Sequence, residues 1–104
     1  MKPYPFRYHR EARAERRLAA ETYTLRSIEV GDRFAKSIAY TLWLIRKMPE
    51  TWHLWNKQPG IHAHSVRGFP YQMIYIIRNE QLFIIAVAHY RREPGYWLSR
   101  LPPR

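Results

Sequence analysis

The residues best equipped for chemistry sit late in the chain. His89-Tyr90-Arg91-Arg92 places an imidazole, a phenol and two guanidinium groups in consecutive positions, and Arg67 precedes an apolar stretch that leads toward them. These types suit one reaction that needs no metal: attack of a 2′-hydroxyl on its neighbouring phosphate. Such a reaction requires a base, an acid for the leaving oxygen, and cations for the charge developing on phosphorus. Histidine titrates nearest neutral pH and serves as either acid or base, while Arg67 or Arg91 can clamp phosphate bidentately. A structural reading stands beside this one. If the last strand alternates regularly, His89 shares a face with Phe83, Ile85 and Val87, where an imidazole is a half-buried hydrogen-bonding group. Arg67 can equally pair with a carboxylate or pack its aliphatic stem.

Other combinations carry less. His62-Ala-His64 would put two imidazoles on one side of a strand, a spacing a metal pair can use. With no cysteine and only 8 Asp+Glu, further ligands are scarce, and no metal or cofactor is expected. Trp43, Trp52, Trp55 and Trp97 could stack bases, but aromatic residues more often fill a core or an interface. Arg10, Arg13, Arg16 and Arg17 alternate with Glu11, Glu15 and Glu21, which reads as a neutralised, solvated helix face. P-loop, GxGxxG, HExxH and serine-elbow motifs are absent, so no small-molecule substrate is expected.

The elements that must position these residues follow from composition and pattern. At 104 residues the chain fits one domain, 1–104, and 46% hydrophobic residues suffice for a core. The absence of cysteine excludes disulfides and thiolate chemistry. The net charge is +10, of which residues 33–104 hold +8, so an anionic partner is expected. No apolar signal region opens the chain, and Arg78-Asn79-Glu80 breaks its longest apolar run. A cytoplasmic protein without membrane association is expected.

Tyr4, Phe6 and Tyr8 alternate as a short strand, which Pro3 and Pro5 confine to an edge. Arg10 to about Glu29 reads as a helix with a small-residue stripe of Ala12, Ala19, Ala20, Tyr23 and Ser27. Gly31 is read as its stop and Asp32 as the next N-cap. Phe34, Ile38, Leu42 and Ile45 mark a second helix that Pro49 closes, giving an antiparallel helical hairpin. After an irregular connection from Thr51 to Gly60, strands are expected at 61–69, 71–77 and 82–88, the last two joined by a hairpin turn at 78–81. Their near-continuous apolar character implies cover on both faces. The predicted class is α+β: an N-terminal strand, a helical hairpin, then a three-stranded antiparallel sheet.

With these elements placed, the chain resembles the RelE/ParE toxin superfamily, and within it the ParE-like branch of bacterial type II toxin–antitoxin modules. The resemblance spans nearly the whole chain. It rests on the ordered set Arg67, Phe69-Pro70-Tyr71, Ala86-Val87-Ala88-His89 and Pro94-Gly95-Tyr96-Trp97, with Arg100 beyond. It implies a plasmid-stabilisation type toxin neutralised by a cognate acidic antitoxin, and offers two targets. ParE-like members poison DNA gyrase; RelE-like members cleave messenger RNA on the ribosome without a metal. The 14 residues after Tyr90 resemble the ParE-like ending, which favours gyrase and a non-enzymatic toxin. On that reading Arg67, Arg91, Arg92, Tyr96, Trp97 and Arg100 are the expected target contacts. The alternative endoribonuclease would use Arg67, His89, Tyr90 and Arg91. A third possibility is a degenerate, non-toxic member that only binds its antitoxin. Phe34, Ile38, Leu42 and Trp43 are the expected antitoxin contacts.

Overall fold

The computed structural model describes residues 2–51, 54–55 and 59–103; Trp52, one of the four tryptophans, lies outside them. The chain runs β1 (Phe6–Tyr8), α1 (Arg10–Arg26), α2 (Ile28–Lys47), β2 (Ile61–Ser65), β3 (Tyr71–Arg78), β4 (Gln81–His89) and a short 3-10 turn at Leu98–Arg100. The four strands form one sheet in the order β1-β4-β3-β2. β2, β3 and β4 are antiparallel neighbours as expected, whereas β1 joins the β4 edge in parallel, which makes the sheet mixed. The edge position accommodates Pro3 and Pro5, which lack amide donors.

The helix boundary differs from the sequence reading. α1 ends at Arg26, and Ser27 alone links the helices: its amide donates to the Tyr23 carbonyl, and its hydroxyl accepts from the Val30 amide as the N-cap of α2. Gly31 therefore lies inside α2 and Asp32 caps nothing. The glycine answers to packing rather than to chain termination. A β-carbon built there would lie 2.9 Å from the Thr24 Cα, so its absence lets the two helices approach at the hairpin's closed end.

One face of the sheet packs on the helices. Phe34, Ile38 and Ile45 of α2 and Ala12 and Ala19 of α1 meet Met73, Tyr75, Leu82, Ile84 and Val87. The other face carries Ile74, Ile76, Ile85, Ala86 and Ala88 and is covered by Trp97, with Trp55, Tyr96 and Leu101 packed around it. Both faces of the central strands are thus dry, which explains their unbroken apolar sequence. The β3–β4 turn is a two-residue hairpin with Asn79 and Glu80 at φ 49° and 58°, the left-handed pair such tight turns require.

The alternation of β4 is interrupted. Ile74 pairs with Ala86 but Tyr75 with Ile84, leaving Ile85 as a bulge without a partner. Beyond it every side chain changes face. Val87 and His89 therefore point toward the helices with Ile84 and Leu82, while Phe83 and Ile85 point away. The expected grouping of His89 with Phe83 and Ile85 is corrected by this one extra residue; its grouping with Val87 stands.

Candidate functional site

The end of β4 carries His89, with Tyr90, Arg91 and Arg92 directly after it. Arg67 is exposed in the turn after β2, where its carbonyl accepts a 2.7 Å hydrogen bond from Ser37 Oγ. His89 closes β4 opposite Tyr71, their rings meeting edge-on at 5.0 Å. Its Nδ1 accepts the Arg91 amide at 3.0 Å, so the neutral ring carries its proton on Nε2. Tyr90 and Arg91 are exposed. A shallow pocket of about 180 Å³ lies between α1 and β4, lined by His89, Tyr71, Val87, Arg92, Tyr96 and Glu15, with Leu18, Ala19 and Thr22. Burial pushes the Tyr71 hydroxyl above its ordinary pKa, with smaller contributions from Tyr23 and Glu15, so it is a proton donor at neutral pH. Arg67 is not among the lining residues.

Three of the expected target contacts turn out to secure the tail. Trp97 is 2% exposed in the core. Arg100 forms a bidentate pair with Glu15, both bonds 2.9 Å. Tyr96 donates its hydroxyl to the same carboxylate at 2.6 Å. This cluster fills a gap in the sheet. β1 pairs with β4 only as far as Ile84; beyond that point the backbone edge of β4 is met by side chains. Glu15 accepts from the Val87 amide at 3.0 Å, and Arg100 donates to the Ile85 carbonyl at 3.1 Å. Two side chains thus complete the edge that the short strand leaves open. Burial first, then the hydrogen bond to Glu15, raises the Tyr96 pKa; that of Arg100 is raised chiefly by its hydrogen bond to Glu15. Trp97 and Arg100 are accordingly withdrawn as surfaces for a target. Arg92 stacks on Tyr96, its guanidinium 3.8 Å from the ring centre.

The expected antitoxin contacts also divide. Phe34 and Ile38 belong to the core, because the apolar stripe of α2 is the face that packs on the sheet. Leu42 is half-buried, and Trp43 is exposed, stacked on Tyr40 and capped by the Lys47 ammonium at 4.7 Å. What the hairpin does present is an open groove of about 470 Å³ between β1, α1 and α2. Phe6, Tyr8, Ile38 and Leu42 form apolar walls, beside Arg13, Arg16 and Arg17. By sequence spacing alone these arginines belong to a neutralised face. The structure sends Glu15 to Arg100 and Glu11 to Arg10, leaving the groove without a carboxylate among its lining residues. Arg16 Nε is buried with no hydrogen-bond partner among the described residues, its guanidinium 5.1 Å from the Tyr8 ring centre. The spacing 13, 16, 17 already placed these side chains on one helical face; the destination of Glu15 was the missing information.

His62 is buried and stacked on Tyr75, and His64 Nδ1 lies 2.7 Å from the Ser65 carbonyl. Among the described residues no three His, Cys, Asp or Glu side chains are grouped to hold a metal ion. No helix among them is long and apolar enough to cross a membrane.

No family profile matches the chain, and no curated protein matches it either. Solved structures do. A chain of the chromosomal ParDE TA system from P. aeruginosa superposes with a TM-score of 0.71 at 11% identity, covering 83% of this chain and 95% of that one. The fold is ParE-like. That bears out, at the level of fold, the resemblance carried by Arg67, Phe69-Pro70-Tyr71 and the segments after them. Within the ParE-like fold of this chain, Trp97 packs the tail after β4 onto the face turned away from the helices, and Glu15 ties it to the β4 edge.

Proposed function

We propose that this protein is the toxin of a bacterial type II toxin–antitoxin module, that it acts by binding DNA gyrase, and that an acidic antitoxin holds it inactive. The observation that carries the proposal is the ParE-like fold, matched over 95% of a chain from a ParDE system. Arg67, Arg91 and Arg92 are exposed cations that would meet the target, with the exposed Tyr90 as a further contact. The antitoxin would lay an acidic amphipathic segment in the groove of Arg13, Arg16 and Arg17, with Trp43 at its margin. A permanent complex of this kind buries on the order of 2,000 Å² or more. Expression without antitoxin is expected to arrest growth, induce the SOS response and inhibit supercoiling by purified gyrase. Unchanged gyrase activity with growth arrest would reject the target and keep the toxin.

The endoribonuclease reading keeps one observation in its favour: His89, Tyr71 and Arg92 line a common pocket. It predicts new cuts in ribosome-bound transcripts that His89→Ala abolishes. Intact transcripts during arrest would reject it. Unimpaired growth with abundant soluble protein would leave a non-toxic, antitoxin-binding member.

A further inference from the structure

A second concave site lies at the opposite end of the sheet from His89, and nothing in the proposed function uses it. The face of the sheet turned away from the helices carries Ile76 and Phe83, which are register partners, and Arg7 pairs with Phe83 across β1 and β4. Arg78 and Gln81 flank the hairpin as the next pair and share that face. The tail closes the side: Arg78 Nη1 donates to the Pro103 carbonyl at 3.2 Å. The result is a pocket of about 310 Å³ lined by Arg7, His9, Arg78, Asn79, Gln81 and Phe83, with Ile85, Pro102, Tyr8 and Arg100 completing the wall. That volume reaches the range of small-ligand sites.

We propose that this pocket binds a nucleotide, with the phosphate held by Arg7 and Arg78 and the base laid against Phe83. The chemistry of the lining selects that class. Among the described residues no carboxylate lines the pocket, and Arg100 is already neutralised by Glu15, so Arg7 and Arg78 are the cations it offers a ligand. Both are exposed. Each offers a planar fork suited to phosphate, and the bond to Pro103 occupies only part of the Arg78 fork. His9 accepts the Glu11 amide on Nδ1 at 3.0 Å, which leaves Nε2–H as a further donor. As the N-cap of α1 it also brings the positive end of that helix to the pocket. The half-buried Phe83 ring provides a stacking surface. The carboxamides of Asn79 and Gln81 present paired donors and acceptors of the kind that read base edges. An acidic peptide would engage the cations alone and leave the ring and both carboxamides without a role.

The nucleotide has two sources, a free mononucleotide or the terminal unit of a single strand, and the test separates them. Adenosine, guanosine and cytidine 5′-monophosphates, inorganic phosphate, a single-stranded DNA or RNA pentanucleotide with and without a 5′-phosphate, and an oligoglutamate peptide are titrated into the full chain. Binding is read by calorimetry and by amide chemical shifts. A mononucleotide is expected to shift Arg7, His9 and the 79–83 amides. Arg7→Glu and Arg78→Glu should each weaken it by about tenfold or more, as loss of a charge-assisted contact requires. Phe83→Leu should weaken the mononucleotide while leaving inorganic phosphate unchanged. Tighter binding of the 5′-phosphorylated strand assigns the site to a strand end; equal or weaker binding assigns it to a free nucleotide. The proposal is overturned if phosphate or oligoglutamate binds as well as the mononucleotides. It is equally overturned if the shifts fall elsewhere or both charge reversals are silent. The result does not depend on toxicity, so a failed gyrase assay leaves it intact.

Discussion

Glu15→Ala tests the account of the tail directly. One carboxylate accepts from Arg100 twice, from Tyr96 and from the Val87 amide; its removal leaves the Tyr96 hydroxyl and the Val87 amide without an acceptor and Arg100 with the Ile85 carbonyl alone. Removing one partner of a fully buried pair costs about 3–5 kcal/mol. Here the side chains of Arg100 and Glu15 keep 13% and 17% of their exposure, so water recovers part of the loss and about 2–3 kcal/mol remains. For a domain of this size that corresponds to a Tm lower by about 8–20 °C. Glu15→Gln retains an acceptor and the shape, and should lose about half as much. Thermal unfolding followed by circular dichroism reads both variants, and a cycle with Arg100→Ala reads the coupling. A Tm within about 3 °C of the wild type, or strictly additive Glu15 and Arg100 effects, would refute the idea that this cluster closes the sheet edge.

Gly31→Ala should destabilise the protein by about 1–3 kcal/mol in urea unfolding, although alanine is the better helix former by ~1 kcal/mol, because the added methyl meets Thr24. Stability should fall above pH 10. Tyr8, Tyr71, Tyr75 and Tyr96 have folded-state pKa values raised above 10.0, in each case chiefly by burial, so their contribution is complete below that value and lost as pH rises through the higher folded values. Phenolate absorbance that lags until unfolding would confirm the sign, and Tyr75→Phe should reduce the loss. Arg13→Glu with Arg17→Glu should slow antitoxin association by about tenfold or more at low salt, an effect that fades as salt rises. Both positions are exposed, so Tm should change by less than about 3 °C. Unchanged association kinetics would move the antitoxin to another face.

Much of the fold was legible because its signals are local. Phe34, Ile38 and Ile45 recur with the helical period, and the strands at 71–78 and 81–89 are too apolar to be anything but covered. Gly31 misled for a physical reason: glycine ends helices and also permits close packing, and only the position of Thr24 tells the two apart. The site was less legible. Regular alternation groups His89 with Phe83 and Ile85, which the structure puts on the other face, because a bulge is one unpaired residue, invisible to a pattern of period two. Trp97 and Arg100 looked available because exposure is decided by where the tail travels.

The distinction is one of range. Element order, a hairpin turn within 78–81, the basic excess and the resemblance that named a fold class can all be read from the residues alone, since each depends on neighbours within a few positions or on composition. Tertiary structure decided which charges remain free. Glu15 sits among arginines in sequence yet is consumed 85 positions away by Arg100, because the backbone groups of β4 beyond β1 had to be satisfied. That long-range demand turns Arg13, Arg16 and Arg17 from a balanced helix face into the basic wall of a groove.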